Sequence, residues 1–176
     1  MADNSDSTIL TKEEISAYLV QLNDELAARE ISGELCLYGG AVMCLVFDAR
    51  PATRDVDAVF KPADSVRLAA FTVAEKNGLP LDWLNDAVKG FLSAHESTRI
   101  LAEYSHLTIY HADPRYLLAM KAMAARADLD RKDMEFLIRH LGITTAEEVF
   151  SIIEEYYPKR QIKPATQFAV EELFEV

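Results

Sequence analysis

The sequence predicts an α+β fold, with a small mixed sheet flanked by helices and followed by a helical C-terminal third. Short alternating or continuous apolar runs, typical of strands, occur before residue 113; from there on the apolar residues recur at helical spacing. Half of the 176 residues are hydrophobic, which is enough for a sizeable core. We therefore expect a flexible tail over 1–10, an α/β core over 11–112 and a helical region over 113–176 that packs on the core.

The first half of the predicted core carries clear boundary signals. Thr11 and Glu14 have the spacing of a capping box, ahead of apolar residues at helical intervals. Gly39 and Gly40 interrupt an apolar run, which predicts a strand before them and a short helix after them. A later helix ends at Gly78, because glycine suits the left-handed cap of a helix. The predicted segments are, in order, a helix in "TKEEISAYLVQLNDELAARE", a strand in "ELCLY", a helix in "AVMCLVFDA", a strand in "TRDVDAVFK" and a helix in "PADSVRLAAFTVAEKNG".

The second half continues with a loop and a short helix in "LPLDWLNDAVKGF". Two strands in "TRILAEY" and "LTIYHA" are predicted to pair around a short turn. Asp113 and Pro114 then suit the cap and the first residue of a helix. Two further helices are predicted, one from near Asp130 to Gly142 and one between Thr145 and Pro158.

Composition restricts the class of protein. The formal net charge of −11 argues against broad, nonspecific nucleic-acid binding, which depends on Lys and Arg. The longest apolar stretch, "AVMCLVF", is too short to cross a bilayer, and the polar opening "MADNSDST" differs from a secretory signal. Cys36 and Cys44 lie in apolar runs, which is typical of reduced thiols. We therefore expect a cytoplasmic protein without a membrane segment.

The most informative feature is a pair of aspartates, Asp55 and Asp57, on one face of a predicted strand whose other face is apolar. An arbitrary pair of this kind is usually a solvated strand face. Aspartate is a poor strand former, however, and like charges repel, so this pair needs a reason. Two carboxylates on one face can share divalent ions such as Mg²⁺ or Mn²⁺. Gly39 and Gly40 precede the pair, and they allow a phosphate to approach the backbone closely.

Together these residues carry a resemblance. The segment "GGAVMCLVFDARPATRDVDAVF" resembles the signature of the nucleotidyltransferase fold of the DNA polymerase beta superfamily, in which Gly-Gly or Gly-Ser, a short helix and Asp-x-Asp follow one another. Arg50, Thr53, Asp55 and Asp57 in "RPATRDVD" more narrowly resemble the AbiEii and MenT type of toxin nucleotidyltransferases. The resemblance extends over residues 35–142.

This resemblance implies a nucleotidyltransferase-like sheet and a metal-dependent enzyme. Such an enzyme moves a nucleoside monophosphate from a nucleoside triphosphate (NTP) to an acceptor hydroxyl and releases pyrophosphate. Asp55 and Asp57 would be catalytic and would hold Mg²⁺ or Mn²⁺. The implied nucleotide-binding residues are Gly39, Gly40, Arg50 and Thr53.

The same branch usually has a lysine on a later helix and then an aspartate, and Lys121 and Asp133 are the matching catalytic candidates. Lys121 lies in an apolar helical run, where a lysine can also simply extend to solvent. Asp133 is expected in the first turn of its helix, where an acidic side chain stabilises the helix by about 0.3–1 kcal/mol regardless of function. Many relatives carry a second acid three positions later, where this chain has Phe136. Asp133 is expected to be a third carboxylate near the metals or a partner of Lys121, with Asp86 and Asp113 as alternatives.

The resemblance also implies a biological setting. The chain would be the toxin of a toxin–antitoxin or phage-defence system, with RNA such as a tRNA end, or a protein, as acceptor and a cognate antitoxin protein as partner. Its compact basic cluster is small and consists of Lys159, Arg160 and Lys163. Two alternatives remain open: an inactive member of the fold that binds a nucleotide or a partner protein, and a small-molecule nucleotidyltransferase that acts on an antibiotic or a sugar.

Overall fold

The computed structural model describes residues 8–94, 96–124, 127–158 and 161–175. Within these ranges the chain forms seven α-helices, seven strands and a short 3-10 helix at Ala87–Phe91, which confirms the predicted α+β class. The strands are β1 (Leu10–Thr11), β2 (Gly33–Leu37), β3 (Ala52–Thr53), β4 (Val56–Lys61), β5 (Leu84–Asn85), β6 (Thr98–Glu103) and β7 (Leu107–Ala112). The helices are α1 (Lys12–Ala28), α2 (Gly39–Leu45), α3 (Ala63–Asn77), α4 (Pro114–Ala124), α5 (Ala127–Leu141), α6 (Ala146–Tyr156) and α7 (Pro164–Glu171).

Strand β2 lies at the centre of a five-stranded mixed sheet with the order β5-β4-β2-β7-β6. It runs antiparallel to β4, with Leu37 opposite Ala58, and parallel to β7. Strands β4 and β5 are parallel and are connected through α3, because a parallel pair needs a crossover. Strands β1 and β3 form a separate antiparallel pair, in which Leu10 is opposite Thr53. The turn after β2 therefore lies beside the start of β4, which carries Asp57.

Alternation along β4 is confirmed, with Asp57 and Val59 on the half-buried face. The single strand predicted in "TRDVDAVFK" is nevertheless interrupted, since β3 ends at Thr53 and Asp55 lies in a bend before β4. The reason is tertiary: β3 pairs with β1 in the two-stranded sheet, so the chain turns before it joins the larger one. The buried face of β4 consists of Val56, Ala58 and Phe60.

Helix ends follow the predicted capping residues. The Thr11 hydroxyl accepts from the Glu14 N–H at 3.3 Å, and the Thr11 N–H donates to Glu14 Oε2 at 2.9 Å, which completes the capping box. Gly78 ends α3 with a φ of +64°. The Arg115 N–H donates to Asp113 Oδ1 at 3.0 Å at the start of α4. Each of these caps depends on residues within three positions, which is why the sequence predicts them.

Two expectations in the C-terminal part need correction or fall outside the structure. Helix α5 begins at Ala127 rather than near Asp130, so Asp133 lies beyond the first turn. The interpretation of Asp133 as a first-turn, dipole-stabilising acid is therefore wrong, because that effect is confined to the first turn. Lys159 and Arg160 of the basic cluster lie outside the described residues.

The chain divides into two compact units, Met1–Val88 with Ile100–His111, and Lys89–Arg99 with Ala112–Val176. In the first unit α1 packs against α3. Leu10, at the end of the predicted tail, is buried there as part of β1. The core of this unit includes Leu19, Leu22, Leu26, Leu35, Leu37 and Trp83.

In the second unit α4 packs against both α5 and α6. Tyr116 on α4 is fully buried and stacks on Tyr156 of α6, with ring centroids 5.0 Å apart. The Tyr116 hydroxyl accepts from the Ser93 N–H at 2.8 Å. Burial raises the pKa of Tyr156, which keeps its hydroxyl neutral.

Two expectations from composition can be compared with the structure. Cys36 is half-buried and Cys44 is buried, and both are thiols. Burial raises the pKa of the Cys44 thiol, which disfavours the reactive thiolate. In the part of the chain that the structure describes, no helix combines the length and the apolar character needed to cross a membrane.

Candidate active site

A glycine turn joins β2 to α2 and lies directly against Asp57. Tyr38 is extended and buried, and its N–H donates to the Asp57 carbonyl oxygen at 2.9 Å. Gly39 then takes a φ of +59°, in the left-handed region that favours glycine. A Cβ atom on Gly39 would lie 2.8 Å from Asp57 Oδ2. Glycine is thus needed twice here, for the backbone conformation and for room beside the carboxylate.

Gly40 faces polar groups on the other side of the turn. A Cβ atom there would lie 2.6 Å from Thr53 Oγ1 and 3.0 Å from Arg50 Nη1. The Thr53 hydroxyl donates to the Asp55 carbonyl oxygen at 3.3 Å, across the bend before β4. Arg50 is half-buried, whereas Arg54 is exposed. The guanidinium near Gly40 is that of Arg50, one of the residues that the resemblance implies for nucleotide binding.

Asn85 also belongs to this group of residues, although the sequence does not predict it. On β5 it is in register with Asp57 on β4, and its Nδ2 donates to Asp55 Oδ2 at 3.2 Å. Its Oδ1 accepts from the Ala87 N–H at 3.2 Å, which orients the amide with its N–H groups toward the carboxylate. With two residues, β5 gives no periodic signal. The available clue is the order strand, helix, strand, which favours a parallel strand beside β4.

Apart from the alternative Asp86, the structure brings the residues predicted in the first unit into one cluster. Asp55 and Asp57 are each half-buried; Asp57 lies on β4 beside the glycine turn, and Asp55 lies in the bend before β4. We call this group the glycine-turn cluster; its members are Gly39, Gly40, Arg50, Thr53, Asp55, Asp57 and Asn85.

Asp55 and Asp57 fit a site for Mg²⁺ or Mn²⁺ that is completed by a ligand. Carboxylate oxygens are the ligands that these hard cations prefer. Among the described residues, no group of three or more His, Cys, Asp or Glu side chains is placed to hold a metal ion. Mg²⁺ is commonly bound by one or two carboxylates together with waters and substrate phosphates. Two carboxylates beside a glycine turn therefore suit a metal ion that binds together with a phosphate-bearing substrate.

A different charged cluster occurs in the second unit, around Lys121 on α4. Lys121 Nζ lies 2.6 Å from Asp133 Oδ2 and 3.2 Å from Asp130 Oδ1, both on α5. The side chains of Lys121, Asp130 and Asp133 are 8%, 12% and 3% exposed, and we call them the lysine cluster. The alternative that Lys121 simply extends to solvent is therefore wrong, and the expected pairing of Asp133 with Lys121 is confirmed.

Asp130 is the member of the lysine cluster that the sequence does not predict as a site residue. Asp130 and Asp133 are three positions apart on α5, a spacing that places both side chains on one face of a helix. Phe136, three positions after Asp133, stacks on His140 with ring centroids 5.8 Å apart. The second carboxylate of this cluster thus comes from a residue before Asp133 rather than after it.

Asp86 and Asp113, the alternatives to Asp133, each have a local ion pair. Asp86 Oδ2 accepts from Arg67 Nη2 at 2.8 Å in the first unit. Asp113 caps α4 in the second unit, and its Oδ2 lies 2.7 Å from Arg99 Nη2. These contacts explain both carboxylates by local structure.

Two half-buried carboxylates, a glycine turn and a neighbouring guanidinium define the glycine-turn cluster as a candidate site for a metal ion and a phosphate. Compared with models of known protein families, with curated proteins and with solved structures, the chain gives no significant match. The residues themselves and their geometry therefore carry the functional inference.

Proposed function

We propose that this chain is a metal-dependent nucleotidyltransferase, which moves a nucleoside monophosphate from an NTP to an acceptor hydroxyl with release of pyrophosphate. The observation that carries the proposal is the contact between the glycine turn and the acidic pair. Asp57 Oδ2 lies 2.8 Å from the position that a Gly39 Cβ would occupy, so a phosphate bound at the turn would also be beside a metal-binding carboxylate. An acidic pair that was only a solvated strand face would have no need of this arrangement.

Four members of the cluster then have roles that their positions support. Asp55 and Asp57 would hold Mg²⁺ or Mn²⁺ when an NTP binds. A bound ion would supply activation of the attacking hydroxyl and stabilisation of the leaving pyrophosphate. Asn85 holds the Asp55 carboxylate in one orientation through its 3.2 Å hydrogen bond. Arg50 contributes a guanidinium, which pairs well with phosphate oxygens.

Lys121 and Asp133 enter the proposal through the resemblance. Their buried contact at 2.6 Å supports a role for Asp133 in holding Lys121, rather than in binding a metal ion. Asp130 shares that role at 3.2 Å. We retain Lys121 as the candidate that neutralises phosphate charge during transfer.

The proposed setting is that of a toxin in a toxin–antitoxin or phage-defence system. RNA, particularly a tRNA end, and a protein hydroxyl are the two acceptor classes. The net charge of −11 favours an acceptor that is recognised locally over one bound along an extended phosphate backbone. A cognate antitoxin protein is the expected partner.

One observation favours a second candidate, a nucleotide-binding module without turnover. Beside the acidic pair, β5 supplies the amide of Asn85 and not a third carboxylate. Two carboxylates can bind a metal–nucleotide complex whether or not the site also catalyses transfer. Activity therefore has to be measured separately from binding.

The binding test is a thermal unfolding titration with Mg²⁺ or Mn²⁺, with and without an NTP. Both candidates predict a rise in melting temperature that is largest with metal and NTP together. Selective binding to the folded state stabilises it by about 2.7 kcal/mol at a hundredfold excess over the dissociation constant. The absence of any response at millimolar metal, with and without NTP, contradicts both candidates.

The activity test is Asp57→Asn, assayed by transfer of label from each of four α-labelled ribonucleotides to acceptors in a cell extract. Loss of a group that positions charge in the transition state should lower transfer at least about 10²-fold, or ~2.7 kcal/mol. Asp82→Asn is the matched control, because Asp82 is an exposed aspartate outside the cluster. In the metal-free protein Asp57→Asn should leave stability unchanged or raise it, because it relieves a like-charge pair. Metal and NTP binding without transfer favours the module; an Asp57→Asn protein that unfolds while wild type labels nothing identifies the aspartates as structural.

A further inference from the structure

Strand β6 forms one edge of the five-stranded sheet, and most of its residues are exposed. All of its residues except Ala102 are exposed, and the apolar side chains of Ile100 and Leu101 are 57% and 36% exposed. Within the described residues, no strand pairs with its outer side. Natural edge strands are commonly protected by lysine, proline or a covering segment, because an open apolar edge binds other strands. β6 contains neither lysine nor proline.

We propose that β6 pairs antiparallel with β6 of a second copy of this chain, so that the two sheets become continuous. In an antiparallel pair, side chains directly opposite each other project from the same face of the sheet. For two copies related by a two-fold axis perpendicular to the sheet, this holds only when the axis passes between the two copies of one residue. Near the middle of β6 that residue is Ile100, Leu101 or Ala102. These three choices give three different cross-strand pairings, which can be compared.

Charge complementarity selects the pairing centred on Leu101. It places Arg99 of each copy opposite Glu103 of the other, so that both ends of the pairing carry an ion pair. Leu101 then faces Leu101, and Ile100 faces Ala102. Opposite charges and apolar pairs directly across two strands are stabilising.

The neighbouring registers lack this complementarity. Centred on Ile100, the pairing places Arg99 opposite Leu101. Centred on Ala102, it places Glu103 opposite Leu101. Each sets a charged side chain against an apolar one, so the register centred on Leu101 is the one that the sequence of β6 supports.

The existing ion pair of Arg99 is compatible with this interface. Its Nη2 lies 2.7 Å from Asp113 Oδ2, while its side chain remains 64% exposed. A guanidinium has five N–H donors in a planar fork, so it can bind two carboxylates at once. Glu103 is exposed and forms no ion pair with any residue in the described ranges, so its carboxylate is available for the second copy.

The test is sedimentation velocity of the full chain over a wide concentration series, at physiological ionic strength. Under these conditions charges more than about 8 Å apart are largely screened, so the like net charges of two copies interfere little. Wild type should form a dimer. Arg99→Glu and Glu103→Arg each create two like-charge pairs, and each should lower the association constant at least about tenfold.

Mixing the two variants separates this interface from a folding defect. In the mixed dimer glutamates at 99 and 103 of one copy face arginines at 103 and 99 of the other, so an equimolar mixture should dimerise again. Arg139→Glu and Glu75→Arg change net charge equally at exposed positions on α5 and α3 and should dimerise like wild type. Hydrogen exchange of the β6 amides in wild type should slow as concentration rises.

Three results overturn the proposal. One is a wild-type chain that stays monomeric at every concentration. The open edge of β6 would then be a site for a strand of a different protein. Another is a Glu103→Arg variant that dimerises as well as wild type. The third is a folded pair of charge-reversed variants that does not associate on mixing. None of these results bears on nucleotidyl transfer, because β6 carries no residue of the glycine-turn cluster.

Discussion

The glycine-turn cluster and the lysine cluster both assemble acidic side chains, but they bury them differently. In the first, Asp55 and Asp57 are half-buried and lie beside backbone that has no side chain at Gly39. In the second, Asp130 and Asp133 enclose Lys121, and all three side chains are at least 88% buried. The comparison indicates that carboxylates which meet an internal cation become part of the core, whereas the carboxylates beside the glycine turn stay partly exposed to solvent.

A third charged group supports the view that burial, more than the number of charges, determines how much a group of ion pairs contributes to stability. Glu25 contacts two cations, Arg29 at 2.8 Å and Lys76. The lysine cluster has the opposite arrangement, in which one cation contacts two carboxylates. Lys76 is 61% exposed, however, and Arg29 is 27% exposed. Solvent therefore screens this group and leaves the lysine cluster largely unscreened.

The largest expected effect comes from Lys121→Met. Removing the cation takes away the ion pairs of two buried carboxylates, and breaking a buried ion pair in this way costs about 3–5 kcal/mol. Chemical denaturation of the full chain measures the loss. Lys132→Met is the matched control, because Lys132 is exposed on α5, and it should change stability by less than about 0.5 kcal/mol.

A further variant makes the same comparison sharper. If the loss arises from uncompensated charge, Lys121→Met combined with Asp130→Asn and Asp133→Asn should recover part of it, because amides are cheaper to bury than carboxylates. A Lys121→Met protein as stable as the Lys132→Met control would show that burial does not distinguish the two clusters.

An intermediate effect is expected for Gly39→Ala. The left-handed backbone alone destabilises a residue with a Cβ atom by roughly 1–2 kcal/mol, and contact with Asp57 Oδ2 at 2.8 Å adds to that. Gly78→Ala is the matched control, because Gly78 has a φ of +64° and no described atom lies within 4 Å of its added Cβ. The difference between the two free energies of unfolding isolates the contact with Asp57.

The contact between a Cβ atom at position 39 and Asp57 can also be removed by changing Asp57. In an Asp57→Ala background, Gly39→Ala should destabilise the chain no more than Gly78→Ala does. An undiminished effect would mean that the turn and the acidic pair are independent, which would weaken the structural basis of the proposed phosphate and metal site.

The smallest expected effect is that of Glu25→Gln, and it depends on pH. The hydrogen bond from Lys76, and then that from Arg29, lowers the pKa of Glu25. A lowered pKa in the folded state stabilises the fold above the unfolded value, about 4.3, and this contribution is lost as pH falls through the folded value. The variant should therefore be less stable than wild type by about 1 kcal/mol at pH 7, with a difference that shrinks below about pH 4.

Denaturation curves across this pH range measure both the sign and the size of the stability difference between Glu25→Gln and wild type. Glu75→Gln, at an exposed position on α3, should show no comparable pH dependence. A Glu25→Gln difference as large as that of Lys121→Met would contradict the role assigned to burial.

Several local features could be predicted because their causes lie close together in the chain. The capping box of α1 involves residues three positions apart, and the stop at Gly78 involves one residue with a left-handed backbone. The glycine turn and Asp57 are eighteen positions apart in the sequence, but strand pairing of β2 with β4 brings them together, and both strands have clear apolar patterns. The centre of the candidate site was therefore within reach of sequence reasoning.

The sequence by itself determined the α+β class, most of the helix and strand positions, and the aspartates and glycines of the candidate site, since apolar periodicity and capping are local properties. Tertiary structure alone decided which further side chains contact the predicted ones. Asn85 reaches Asp55 across thirty positions through a strand of two residues, too short for any pattern. Asp130 joins Lys121 only because α5 begins earlier than its sequence suggests and packs against α4. Such contacts depend on how elements pack, and no periodicity within one element encodes the side chain that another element presents to it.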